Sequence, residues 1–199
     1  MALDLATYQT NLNSCFQVPL GKLWSTCVDA LTNFTKGYIE SGTLTTAVAG
    51  TVTPPFLVPY PASGIGIGSL TTDPASVATM TSVLKISALD QNTSWETFGE
   101  DIATQIKNVM EMCTAQTTVT GGLTGVGIGN AGCVITLAAF TSFKNLVKII
   151  FKTSTDWTIL SNSLGVAIDT FIKACTVTTT DSGTIPPVSW GGAGTGTIS

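Results

Sequence analysis

Three tryptophans, Trp24, Trp95 and Trp157, each begin a similar stretch of sequence. Counted from each tryptophan, position +15 is apolar, position +18 is small and position +19 is threonine in all three stretches. Apolar residues at +3, +7, +14 and +15 would share one face of an α-helix. We therefore predict that each tryptophan starts an amphipathic helix. An indole in this position could stack on a sugar or base, but its place on the apolar face favours a packing anchor. The further core positions predicted on these helices are Leu31, Ile102, Leu164, Ile39, Met110 and Ile172.

The similarity continues beyond each helix. Segments rich in threonine and β-branched residues follow at 43–53, 114–120 and 176–185, a composition typical of strands. A break comes next, at Pro54-Pro55, Gly121-Gly122 and Pro186-Pro187, and glycines then alternate with other residues. Alternate glycines leave one strand face without side chains, so another backbone can come close. We call each Thr-rich segment with its Gly-rich continuation an arm. The arm positions predicted to contact other subunits are Thr43, Thr114, Thr176, Gly66, Gly127 and Gly194.

A second helical pattern precedes each tryptophan helix, at about 3–16, 73–89 and 134–152. Asp73 followed by Pro74 is typical of an N-cap with proline in the first helical position. Asp156, and either Thr93 or Ser94, are candidate N-caps of the later tryptophan helices.

The order of these patterns predicts an α+β fold of three internal repeats, 1–70, 71–132 and 133–199. Each repeat has two helices, then a Thr-rich strand or hairpin and a Gly-rich arm. One repeat is too short to bury its apolar face alone, so the three must pack together. They could stack in line as a solenoid or surround a pseudo-threefold axis with the tryptophan helices inside and the arms outside. The second is favoured, because no repeat has the charged outer face of a solenoid cap.

The composition excludes several kinds of active site. Charged residues make up 10% of the chain, histidine is absent, and every basic residue is a lysine. Histidine-dependent nucleophiles, imidazole metal sites and arginine clamps therefore cannot form. We predict no enzymatic activity, no cofactor, no metal and no small-molecule substrate. The five cysteines are interpreted as small apolar residues of a reduced protein, although the sequence also allows one disulfide bond.

Two local motifs suggest chemistry but have simpler interpretations. Gly127, Gly129 and Gly132 match the GxGxxG pattern of dinucleotide-binding loops, yet no acidic residue follows within 20 positions to hold a ribose. Related alternating glycines occur in the other repeats, which favours a structural role. Glu96 and Glu100 could form a carboxylate pair, but negative charge at a helix start is better explained by the helix dipole.

Charge also limits the partners. A net charge of −4 opposes binding to nucleic acid, which needs a basic surface. No basic leader is visible, and the uncharged runs 41–72 and 112–143 are interrupted by Gly, Pro and Thr, so we expect a soluble chain without a membrane span. Because the uncharged runs fall in the arms, which would aggregate if bare, we expect other chains to cover them, with strand addition as one mode.

Two segments carry a resemblance to a known class of protein. Residues 38–46, YIESGTLTT, and 192–199, GAGTGTIS, resemble elements of small structural proteins of tailed-bacteriophage virions. The resemblance implies a component of the head-to-tail region, tail or baseplate, assembled in the host cytoplasm into the virion in several copies. It implies other virion structural proteins as partners and brings no catalytic residues. The function expected is to join or clamp neighbouring subunits through the arms.

Three other functions stay open. A surface adhesin or receptor-binding module would expose aromatic residues at the arm tips, where Phe56, Tyr60 and Trp190 are the candidates. Trp190 lies outside the repeat pattern and is expected to be exposed. A membrane-active protein would partition into liposomes. An enzyme is the weakest alternative.

Overall fold

The computed structural model describes residues 4–17, 24–54, 58–90, 93–123, 125–129, 133–185 and 188–199. They form helices and one antiparallel sheet, which is the predicted α+β class. The helices are α1 (Leu5–Phe16), α2 (Trp24–Ser41), α3 (Pro74–Leu89), α4 (Trp95–Glu111), α5 (Leu137–Thr153) and α6 (Trp157–Lys173). The strands are β1 (Leu44–Val52), β2 (Tyr60–Thr71), β3 (Thr114–Gly121), β4 (Gly125–Gly129), β5 (Cys133–Val134), β6 (Thr176–Ile185) and β7 (Val188–Ile198).

The predicted helix starts are confirmed where local chemistry specifies them. Three helices begin at the three tryptophans, and the side chains of Asp73, Ser94 and Asp156 accept hydrogen bonds from backbone N–H groups in the first turn. The helix predicted from residue 134 begins at Leu137 instead. Val134 pairs with Thr176 in the sheet, and Thr136 caps α5 by accepting a hydrogen bond from the Ala139 N–H at 3.2 Å.

The Thr-rich segments form β1, β3 and β6, as predicted, and the Gly-rich segments form their partners β2, β4 and β7. Each Thr-rich strand pairs in antiparallel register with the Gly-rich strand that comes next among the longer strands. In addition, β2 pairs with β3, β4 with β6 and β1 with β7, all antiparallel. The ladder β1-β2-β3-β4-β6-β7 thus returns to β1. Thr43 and Ser199 extend the closing pair with two backbone hydrogen bonds of 2.8 and 2.9 Å. Of the predicted breaks, Pro55, Pro186 and Pro187 lie outside the described residues.

This closure corrects the expectation that the arms extend outward and add strands to other chains. Each of the six longer strands has a neighbour of this chain on both sides. The physical reason is that Thr-rich and Gly-rich strands alternate around the ring and complement each other in side-chain size. The in-line stack is also excluded, since α1 packs on α6 and β1 pairs with β7.

The helices form a second ring, in which each packs on its neighbours in sequence and α6 returns to α1. The helices α2, α4 and α6 contain seven to nine buried residues each, and α1, α3 and α5 contain three or four. The inward faces of all six helices make the main core. This core continues into the adjoining end of the sheet through Leu44, Leu70, Ala115, Val177 and Ile198.

Trp190 corrects a second expectation, because it is only 4% exposed. It packs with Val48, Val52, Val119 and Leu123 in a separate small core. A Cβ on Gly50 would lie 3.1 Å from the Trp190 ring. The large ring therefore fills space that the glycines leave inside the closed sheet.

The closed sheet predicts an unequal response to two alanine substitutions in β7. A Cβ on Gly196 would overlap the backbone carbonyl of Thr45, whereas a Cβ on Gly191 would meet nothing within 4 Å. We expect Gly196→Ala to lower the free energy of unfolding by about 1–3 kcal/mol, as overpacking does. Gly191→Ala, the control, should change it by less than about 0.5 kcal/mol. Urea unfolding measures both, and equal midpoints would contradict the proposed close approach.

Candidate functional site

The three repeat tryptophans meet at the helix end that is remote from the sheet. Their ring centroids lie 5.3 Å (Trp24–Trp95), 6.0 Å (Trp95–Trp157) and 6.4 Å (Trp24–Trp157) apart, with the planes inclined by 62–69°. Edge-to-face contacts of this kind are favourable between aromatic rings. The three residues, which we call the tryptophan cluster, thus form one continuous aromatic surface.

Local structure places these rings. Ser94 accepts a hydrogen bond from the Thr97 N–H at 3.1 Å, and Asp156 accepts one from the Ile159 N–H at 2.8 Å. Both caps start their helices at the tryptophan that follows. Phenylalanines of neighbouring helices then support the cluster from inside. Phe16 stacks on Trp157, and Phe151 stacks on Trp95.

The structure places the predicted anchors in two different environments. Leu31, Ile102, Leu164, Ile39, Met110 and Ile172 are all 1% exposed or less. Trp24, Trp95 and Trp157 contact one another as packing residues do, yet they are 37%, 46% and 39% exposed. Helical periodicity identified the inward face correctly. The periodicity does not indicate whether other residues cover the three tryptophans at the starts of these helices.

Two pockets flank the tryptophan cluster. A cleft of about 280 Å³ lies between Trp95 and Trp157. A smaller pocket of about 80 Å³ lies between Trp24 and Trp95. Both combine aromatic walls with Ser, Thr and Asp side chains from the segment before a tryptophan helix.

The outer face of the closed sheet is the second candidate surface. Among the described strands, the single ionisable side chain apart from buried cysteines and the exposed Tyr60 is Asp181, and it is buried. Every second residue of β1, β3 and β6 faces outward, and most of these residues are Thr, Ala or Ser. On β2, Ile65 and Ile67 are each 55% exposed. This face therefore meets solvent without any charge.

The arm positions predicted to be interfaces divide between the two sides of the sheet. Thr114 and Thr176 are exposed, and Thr43 is half-buried. Gly66 and Gly194 are buried, which corrects their expected place at a subunit interface. Gly127 pairs with Thr117 inside the ladder. The inward glycines leave room for the threonine hydroxyls of neighbouring strands.

Charge is concentrated on the helices, where each described lysine makes an ion pair. Glu96 and Glu100 of α4 face Lys144, Lys148 and Lys152 of α5. The hydrogen bond from the Lys148 ammonium, 2.8 Å long, holds the pKa of the Glu100 carboxyl below its usual range. Besides lying in the first turns of α4, the two carboxylates thus link α4 to the neighbouring helix α5 through ion pairs.

A buried polar layer crosses the interior of the closed sheet. Thr46, Thr117 and Thr179 each lie 22 residues after a repeat tryptophan, and all three are buried. Asp181 is 1% exposed and accepts the Thr179 hydroxyl at 2.9 and 3.1 Å. Within the described chain, the Thr179 hydroxyl is the hydrogen-bond donor to the Asp181 side chain. Val48 and Val119 hold the position corresponding to Asp181 in the other two repeats.

The glycine motif and the cysteines are parts of the folded framework. Gly127 and Gly129 belong to β4, Gly132 lies outside the described residues, and Thr136 rather than a glycine caps α5. All five cysteines are free and buried. Burial raises the pKa of the Cys15 and Cys113 thiols to about 12, so both are protonated at neutral pH. In the described parts of the chain, no group of three His, Cys, Asp or Glu side chains could hold a metal ion.

Of the aromatics expected at arm tips, Tyr60 is 48% exposed and Phe56 lies outside the described residues. None of the described helices has both the length and the apolar character that crossing a bilayer would need. Comparison with protein-family models, with curated protein sequences and with solved structures finds no match to this chain.

The buried polar layer gives a matched pair of Thr→Val substitutions. Thr179→Val removes the donor to the buried Asp181 carboxylate, and we expect it to lower the free energy of unfolding by about 2 kcal/mol. Thr46→Val should cost less than about 1 kcal/mol, because its hydroxyl makes one long contact of 3.5 Å to Gly66.

Adding Asp181→Val to the Thr179 variant should recover stability, since valine holds this position in the other repeats. Denaturant unfolding of the three variants measures these effects. Equal losses from Thr179→Val and Thr46→Val would contradict the proposed dependence of Asp181 on Thr179.

Proposed function

We propose that this chain is a non-enzymatic structural subunit of a larger assembly, and that the outer face of its closed sheet is covered by neighbouring subunits. The observation that carries the proposal is the absence of charge from that face in the described chain. Surfaces that stay in water normally mix charges of both signs. In the described chain, the lysines and the exposed carboxylates lie on the helices or in the segments that cap them. The likeness of residues 38–46 and 192–199 to phage virion proteins supports a tailed-phage virion as the assembly.

The composition of the face supports burial more directly. Ile67 pairs with Thr45 on one side and Thr118 on the other, so an exposed apolar side chain lies in a row of hydroxyls. The methyl groups of threonine and isoleucine lose little hydration energy when another uncharged surface covers them. An interface here needs no ion to be desolvated. Contact would be made by the face, because the strand edges are already paired within the chain.

We further propose that the three repeats are arranged around a pseudo-threefold axis through the helix bundle and the closed sheet. Positions equally spaced from the tryptophans support it. Position +20 holds the buried Leu44, Ala115 and Val177, and position +22 holds the three buried threonines. The mutual contacts of the tryptophan cluster and the ring order of the elements support it as well. Such a subunit suits a threefold site, and two copies suit a sixfold ring of the kind found in phage tails.

Lysines on the outer face test the proposed interface. Thr118 and Thr180 occupy equivalent exposed positions of β3 and β6. We expect the double variant Thr118→Lys, Thr180→Lys to fold with unchanged circular dichroism but to be lost from purified particles at least tenfold. The control, Thr79→Lys with Ser82→Lys, adds the same charge to the exposed face of α3 and should be incorporated normally.

The first measurement is the amount of each variant in particles for which that variant is the sole source of this protein. The second is the mass of the free wild-type chain by light scattering. A wild-type chain that is a stable monomer and is missing from particles would refute the proposal. Equal incorporation of both lysine pairs would place the interface elsewhere.

Circular permutation tests the arrangement of the repeats. Ser199 bonds to Thr43, and Asp4 lines a pocket with Ser41, so residues 4 and 199 can be joined by a short linker. We expect permutants of residues 4–199 opened at 71/72 or at 134/135 to fold with melting temperatures within a few degrees of each other, because each opening leaves two residues before the first helix of a proposed repeat. A permutant opened at 99/100, inside α4, should fail. If the two boundary permutants differ strongly in stability, the repeats are not equivalent.

A further inference from the structure

The cleft between Trp95 and Trp157 has a composition that the structural role does not need. Its apolar walls are the two half-exposed indoles together with Phe151 and Leu160. Flat aromatic rings offer an apolar face that a ligand can stack on. At about 280 Å³ the cleft is slightly smaller than pockets for drug-sized ligands, and it is open to solvent. It suits one small ring.

The cleft is also lined by three polar residues, Ser154, Thr155 and Asp156. One Asp156 oxygen accepts the Ile159 N–H at 2.8 Å as the helix cap, and within the described chain the other oxygen has no partner. The hydroxyls of Ser154 and Thr155 likewise have no hydrogen bond to the described residues. Two hydroxyls and one carboxylate oxygen are therefore available to a ligand. Among the described residues no cation lines the cleft, so an anionic ligand would find no counter-charge among them.

We propose that this cleft binds a neutral hexopyranose unit of a carbohydrate. A pyranose ring has a face of C–H groups that stacks on an indole, and an edge of hydroxyls that can donate to a carboxylate and exchange hydrogen bonds with Ser and Thr. The lining of the cleft contains both complements. This inference goes beyond the proposed assembly role and does not depend on it, since the cleft lies on the helix end remote from the sheet.

The pocket between Trp24 and Trp95 provides an internal comparison. It has about 80 Å³, too little for a sugar ring. Its polar groups are already used, because Thr93 donates to Asp90 at 3.2 Å and the Ser94 oxygen accepts the Thr97 N–H. Both pockets thus have exposed tryptophan. The cleft differs from the smaller pocket because it also has polar groups without a partner in the described chain and enough volume for a sugar ring.

The test uses the full chain and a panel of methyl hexopyranosides of glucose, galactose, mannose and N-acetylglucosamine. Binding is followed by tryptophan fluorescence and by saturation-transfer NMR. We expect at least one glycoside to bind with a dissociation constant in the millimolar range and to receive saturation on its ring C–H groups. Choline chloride and inorganic phosphate probe the rival cationic and anionic chemistries and should not bind.

Variants locate the site. Trp157→Ala should weaken binding about tenfold or more, as truncation of a central contact does. Trp24→Ala, which changes the cluster but not the cleft, should leave affinity within about twofold. Because Trp157→Ala could disturb folding, Asp156→Asn is the second variant. Asparagine caps helices as well as aspartate does, and its loss of charge should weaken binding several-fold without a change in melting temperature.

Each other outcome overturns the proposal. If no glycoside binds at 0.1 M, an amount about a hundred times a millimolar dissociation constant, the cleft is not a sugar site. Binding of choline in place of sugars would assign it to cations. Equal effects of Trp157→Ala and Trp24→Ala would show that fluorescence reports the cluster rather than the cleft. None of these results bears on the charge-free sheet, which the lysine variants test separately.

Discussion

The pairing of a Thr-rich strand with a Gly-rich strand is the interaction on which this structure depends. A closed sheet of eight strands has an interior just wide enough for side chains, and six strands enclose less. Side chains at every inward position could not fit. A Cβ on Gly194 would collide with the Thr179 hydroxyl and the Asp181 carboxylate, and one on Gly66 would collide with the Thr46 hydroxyl. Glycine on every second strand therefore allows the ring to close at all.

Closure of the sheet also positions the helices. The helices α2, α4 and α6 have 18, 17 and 17 residues, and each is followed after two residues by a Thr-rich strand. Three helices of nearly equal length that end on one ring must begin at nearly one level. The tryptophans at their first positions consequently meet. The aromatic surface is thus a product of strand closure at the other end of the molecule.

The features that could be predicted from the sequence are those that local chemistry determines. Caps at Ser94 and Asp156 and the periodicity after each tryptophan specify where helices start, and the Thr-rich segments specify strands. Trp190 was misplaced because its burial comes from pairing with Val52, far away in the chain, and from space left by Gly50. The sequence allows a sugar or base to stack on the tryptophans but favours packing, and it does not predict the cleft beside Trp157. The free polar side chains before that tryptophan were visible, but the half-exposure of the rings depends on the packing of three separate helices.

The separation of charge along the molecule connects the two surfaces. Ion pairs such as Lys148–Glu100 lie on the helices, while the described strands carry one charged side chain and bury it. The helix half is therefore suited to water and the sheet half to contact with other uncharged surfaces. A subunit that is covered on its sheet would direct the tryptophan cluster away from its neighbours. That orientation leaves the cleft between Trp95 and Trp157 open to solvent in the assembly, where a carbohydrate could reach it.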